Sequence, residues 1–166
     1  MRLTLAAAGA VVAALLQITI VPYLRIGGAQ PDLVLVFAVT ATIAGSVEAG
    51  LISAFIGGLM IDLLAPRPIG MTAFMLLISV GIAAVIGRTL DRVLYVVPII
   101  AVFLTSMLTS TLYLVLYGAL RAPIPVADPV AAMLPTALYS TAVAAVVGPL
   151  AIALRRRSAE RERVAW

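Results

Sequence analysis

The chain has 166 residues, 64% of them hydrophobic and 11% charged, with a mean hydropathy of +1.21. Soluble domains hold roughly 45–50% apolar and about 25% charged residues, so a water-exposed globular domain is excluded and the chain belongs in a bilayer. Eleven arginines (there is no lysine) against seven acids give a net charge of +4. Cysteine and histidine are both absent, which removes disulfides, thiol chemistry, Cys/His zinc sites and His-based acid–base catalysis.

A spanning helix needs about 20 apolar residues. Charge, Pro and Gly clusters divide the chain into six apolar runs: Leu3–Val21, Leu33–Ala44, Ala49–Leu64, Ile69–Gly87, Val93–Leu120 and Pro129–Leu154. The second and third are short and separated only by Gly45, Ser46, Val47 and Glu48. They read as two helices in a thinned or protein-shielded place, or as one re-entrant element plus a helix.

Arginine placement favours the first. With six crossings and a cytoplasmic N-terminus, Arg2, Arg88, Arg92, Arg155, Arg156, Arg157, Arg161 and Arg163 lie inside. Arg25, Arg67 and Arg121 then lie outside, the inward excess that membrane topology follows. A re-entrant Leu33–Ala44 would send the arginine-rich tail to the side opposite Arg2. The expected fold is therefore an all-α integral membrane bundle of six transmembrane helices with both termini cytoplasmic. Residues 1–154 form the bundle and 155–166 a short basic cytoplasmic tail. The first run is too long for a signal-peptide core and lacks a small-residue cleavage pattern, so it is read as retained. Arg155–Arg157 serve as a topology anchor or as a site for acidic lipid or a cytoplasmic partner.

Small residues form stripes. Ser46, Gly50, Ala54, Gly58 and Asp62 recur every fourth position, with Ser53 and Gly57 beside them. The last run repeats the device with Thr136, Ser140, Ala144 and Gly148. Four-residue spacing puts each set on one helical face, and such faces allow close helix approach in lipid, where burial of apolar surface gives no drive. They suit packing within the bundle or docking of a partner's transmembrane helix. The fifth run instead carries hydroxyls at Thr105, Ser106, Thr109, Ser110 and Thr111, with Tyr113 and Tyr117 continuing the Thr109 stripe.

The few acids sit at run ends. Asp32 follows Pro31 and opens the second run, an N-cap placement. Asp62 is the deepest acid and needs a partner; Arg67 and the backbone N–H groups near Gly70 are the candidates. In the six-crossing arrangement both carboxylates fall in the outer layer with Arg25, Arg67, Arg121 and Asp128. Glu48 starts the third helix, where the dipole favours a negative charge, and shares the inner layer with Arg88 and Arg92. The central thirds of all six runs carry no ionisable group, unlike proton or ion relays. No Ser/His or Ser/Lys pair, phosphate-binding glycine loop or carboxylate metal cluster is present. Neither an enzyme nor a cofactor or metal site is expected, and a five-arginine tail gives no basis for nucleic-acid binding.

Four motifs in order carry a family resemblance: Pro31-Asp32-Leu33, Glu48-Ala49-Gly50, Gly57-Gly58-Leu59-Met60-Ile61-Asp62-Leu63-Leu64 and Pro68-Ile69-Gly70-Met71. Together they resemble the core signature of MreD, the bacterial rod-shape-determining membrane protein family. The likeness is good from Pro31 to about Phe74; elsewhere it rests on length, helix count and the basic tail. Pro31, Asp32, Glu48, Gly50, Gly57, Gly58, Asp62 and Gly70 are the motif residues it marks. The resemblance implies a non-enzymatic part of the machinery that builds lateral peptidoglycan in the bacterial cytoplasmic membrane. Its direct partner would be the single-span protein MreC, and through it RodA, a class B penicillin-binding protein and MreB filaments. The fold it implies is similar to the S component of energy-coupling-factor vitamin transporters, so a vitamin-binding S component is the alternative function, although Trp166 as sole tryptophan and short outer loops furnish such a pocket poorly. The docking faces expected for MreC are Gly50, Ala54 and Gly58 on the third helix, or Thr136, Ser140, Ala144 and Gly148 on the sixth.

Overall fold

The computed structural model describes residues 2–25, 29–65, 68–89, 96–120 and 129–164. Among these, the chain forms helices α1 (Arg2–Thr19), α2 (Leu33–Thr40), α3 (Val47–Leu64), α4 (Met71–Thr89), α5 (Val96–Leu120) and α6 (Pro129–Val164). A 3-10 turn at Val21–Leu24 follows α1, and a π turn at Ala41–Gly45 extends α2. The first run therefore stops being α-helical at Thr19, where Pro22 falls at the start of the tighter turn. The fourth helix starts at Met71 rather than Ile69, because Gly70 takes a positive φ of 87° that breaks the helical path. The sixth helix does not end at Leu154. It continues through Arg155–Arg157 to Val164, 36 residues in all, so the described part of the basic tail is helical.

Consecutive helices run antiparallel. Gly50 approaches Thr42 and Ala38 while Gly57 approaches Val34, which folds α3 back along α2. Gly58 meets Ala73 at the α3–α4 turn, Ser79 pairs with Thr109 across α4 and α5, and Gly148 meets Pro98 across α5 and α6. Six alternating helices place the start of α1 and the end of α6 at the same end of the bundle. Helices α3 to α6 each hold a stretch long and apolar enough to cross a membrane; those of α1 and of α2 with its π turn are shorter.

The shortness of α2 has a structural reason. It packs against α1, α3, α4, α5 and α6, and Val34, Leu35, Val36, Ala38, Val39 and Thr40 are all buried. A helix that is apolar on every side belongs inside protein, and one shielded by neighbours need not match the hydrocarbon thickness by itself. The other five surround it in the order α1, α3, α4, α5, α6, and α1 and α6 share no substantial packing among the described residues.

Alanines line many of the helix contacts (Ala6, Ala10, Ala14, Ala38, Ala54, Ala83, Ala101, Ala137 and Ala144 are buried) beside large buried residues such as Leu35, Ile43, Met75 and Leu76, while Leu5, Phe55, Leu63, Phe74, Val85, Leu138 and Val146 face outward. Small side chains let backbones approach in lipid, where large apolar side chains gain little by leaving the hydrocarbon.

Candidate functional site

Several polar side chains act at helix ends, where backbone donors lack partners. Asp62 lies in the last turn of α3 and is 2% exposed. Its Oδ1 and Oδ2 accept the Thr72 N–H at 3.2 and 3.0 Å, and Oδ2 also accepts the Ala73 N–H at 3.4 Å. Asp62 therefore caps α4 from the preceding helix and places its charge at the positive end of that helix dipole. Of the two partners expected for Asp62, the amides beyond Gly70 hold it here; Arg67 lies outside the described residues.

Gly58 stands one turn before Asp62 on the same face of α3. A Cβ built on it would lie 2.5 Å from the Ala73 Cα and 2.7 Å from the Ala73 nitrogen, both backbone atoms. Gly58 and Asp62 thus act as a unit: the missing side chain lets the α4 terminus come close, and the carboxylate binds the donors it presents. The motif residues Gly58, Asp62 and Gly70 lie at this one α3–α4 junction, while Gly57 faces Val34 of α2 and Ala10 of α1.

The N-terminus of α2 is capped by three elements. Asp32 Oδ1 accepts the Leu35 N–H at 3.0 Å, the N-cap bond its sequence position implies. Gln17 Oε1 from α1 accepts the Val34 N–H at 2.9 Å, and Ser140 Oγ from α6 accepts the Asp32 N–H at 3.0 Å. Pro31 is buried beside them. Gln17 escaped the sequence reading. The available signal was a lone amide near the end of an otherwise apolar run. At the other end, Ser46 Oγ accepts the Ala49 N–H at 3.2 Å to cap α3, and Glu48 follows, exposed, in the first turn.

Both small-residue stripes face inward. Gly50, Ala54 and Gly58 are buried, and α2 and α4 occupy the space beside Gly50 and Gly58. On α6, Ser140, Ala144 and Gly148 are buried and Thr136 is half-buried; Gly148 abuts Pro98 of α5, and Ser140 serves α2. The chain's own helices fill both grooves expected to receive a partner. Three of the α5 hydroxyls are engaged: Thr105, Thr109 and Thr111 donate to the carbonyls of Ala101, Thr105 and Met107, and Thr109 also pairs with Ser79 at 2.7 Å. Tyr113 packs beside Met71 and Met75 with Leu112 and Leu116. Among the described residues, no group of three or more His, Cys, Asp or Glu side chains is arranged to hold a metal ion.

The arrangement is one of mutual helix capping within an apolar body. A family model described as the rod shape-determining protein MreD matches residues 3–158, nearly the whole chain. No curated protein and no solved structure matches it.

Proposed function

The chain belongs to the MreD family of rod shape-determining proteins, and from that premise we propose that it acts as a non-enzymatic scaffold of the cell-elongation machinery, docking the single transmembrane helix of MreC. Supporting this reading, a set of side chains caps helix ends and ties helices together, although the buried hydroxyls of Thr40 and Thr72 have no partner. Gln17, Asp32, Ser46, Asp62 and Ser140 all bind backbone donors at helix ends. A body fixed in this way presents a constant outer surface, which is what a scaffold needs. MreC would link it to RodA, a class B penicillin-binding protein and MreB filaments at the bacterial cytoplasmic membrane, with both ends of the chain in the cytoplasm as the arginine bias predicts.

Because the inward stripes are filled, docking belongs to an outward face. The back of α6 offers one: Ala142, Ala145 and Ala153 are exposed, with Pro149 half-buried in line and Leu138 above. These positions share a face opposite Ser140, Ala144 and Gly148, so α6 carries small residues on two sides. The inner side packs the bundle and the outer side remains for a second helix to approach closely. Co-purification of MreC from membranes tests the assignment. Ala142→Leu with Ala145→Leu abolishes recovery of MreC while Leu104→Ala on exposed α5 retains it. Undiminished recovery from the double variant overturns the α6 face, and a vitamin retained by the purified chain, with no MreC recovered even from the parent, overturns the scaffold reading itself.

A further inference from the structure

Helix α6 carries Pro149 well inside its ends. Proline has no N–H, so the hydrogen bond that residue 149 would give to the Ala145 carbonyl, one turn earlier, is missing. The Ala145 oxygen points along the helix toward the Pro149 ring, in the row that the two residues share. Ala145 is exposed and Pro149 half-buried. The open acceptor therefore lies on the outward side of α6, while Ala144 and Gly148 turn the other side to the bundle.

Its depth makes this acceptor unfavourable. Ala145 precedes Arg155 by ten residues, about 15 Å of helix, which reaches the middle of roughly 30 Å of hydrocarbon. Water does not substitute at that level. The side chains beside it supply nothing: Ala142, Val146 and Pro149 have no donor, and Thr141, one turn before, gives its hydroxyl to the Ala137 carbonyl at 2.6 Å. Acyl chains cannot donate either. A second helix can. Ala142 and Ala145 are small and exposed, so a helix crossing there brings its side chains within hydrogen-bond range.

We propose that the Ala145 carbonyl is a recognition point for a partner's transmembrane helix, and that the helix docking on the outward face of α6 carries a hydroxyl or amide side chain that donates to it. The inference rests on the α6 face proposed above and adds the chemistry that selects its occupant. A wholly apolar helix packs on the alanines but leaves the acceptor open. The donor therefore discriminates among single-span partners in a membrane where every helix is apolar.

The test is a double-mutant cycle on association with MreC in liposomes, read by energy transfer between the two labelled chains. Pro149→Ala returns an N–H to the Ala145 carbonyl and weakens association about three- to tenfold, the range of interhelical hydrogen bonds in membranes. Replacing the hydroxyl and amide side chains of the MreC span by alanine, one at a time, finds one position whose loss weakens the parent by the same factor and leaves Pro149→Ala unaffected. The same loss in both backgrounds, or no such position, overturns the donor. Because Pro149→Ala also changes the backbone of α6, the carbonyl is read directly in the otherwise unaltered chain. With isotope-labelled alanine carbonyls and valine nitrogens in nanodiscs, the Ala145–Val146 signal is assigned by its disappearance in Val146→Ile. It moves downfield when MreC is added, and an unmoved signal overturns the proposal. Failure of the donor leaves the docking face standing where Ala142→Leu with Ala145→Leu still abolishes recovery of MreC. Undiminished recovery from that variant removes the face and the donor together.

Discussion

Asp62 and Thr72 are joined across the α3–α4 turn by one N–H shared between two carboxylate oxygens, at 3.0 and 3.2 Å. The acid belongs to the helix that is ending and the amide to the helix that is beginning, so one residue fixes the angle and spacing of the hairpin. In lipid, where water cannot substitute as acceptor, such a cap is worth more than at a soluble helix end.

Replacing Asp62 tests that cap. Asp62→Ala leaves the Thr72 and Ala73 N–H groups buried without an acceptor, a loss of about 1–3 kcal/mol for each. Asp62→Asn keeps one oxygen and loses less. Reversible unfolding in mixed micelles with increasing SDS measures both, and equal stability of Asp62→Ala and the parent sinks the capping role.

The glycines of the bundle fall into a predicted order. Gly58→Ala sets a methyl against the Ala73 backbone and costs about 1–3 kcal/mol, because backbone cannot step aside. Gly57→Ala is milder, since the atom 2.6 Å from its added methyl is Val34 Cγ1, the end of a side chain. Gly81→Ala meets nothing within 4 Å and gains about 0.5–1 kcal/mol from helix propensity. Thermal melts of the three variants in detergent give the ranking, and a Gly81→Ala as damaging as Gly58→Ala refutes it.

Gln17 and Ser140 reach the α2 terminus from different helices. Gln17→Ala strands the buried Val34 N–H, and Ser140→Ala removes the acceptor of the Asp32 N–H, each a loss of about 1–3 kcal/mol. Gln17→Glu keeps the acceptor oxygen and most of the stability. Because both bonds hold one terminus, the double alanine variant loses less than the two single losses together, a coupling that a double-mutant cycle reads directly. Strict additivity would show that the two caps act on independent elements.

Much of this was legible in the letters. Apolar run lengths gave six helices, Pro31-Asp32 marked a cap, and an acid as deep as Asp62 required a partner. The stripes through Gly50–Gly58 and Ser140–Gly148 marked faces built for close approach. These inferences are local: helical periodicity and the cost of an unpaired charge or donor act within a few residues, so sequence order alone carries them. Lateral order is different. When nearly every face is apolar, no residue announces which helix lies beside it, and only packing made α2 the centre, turned both stripes inward and joined Gln17 to a helix beginning sixteen positions later. The sequence by itself determined that the chain is helical and apolar enough for a membrane, and that its charges fall at the ends of the apolar runs. The tertiary structure alone decided which grooves the chain fills with its own helices and which surfaces it leaves open, because that choice depends on the fit of small residues between neighbours distant in sequence.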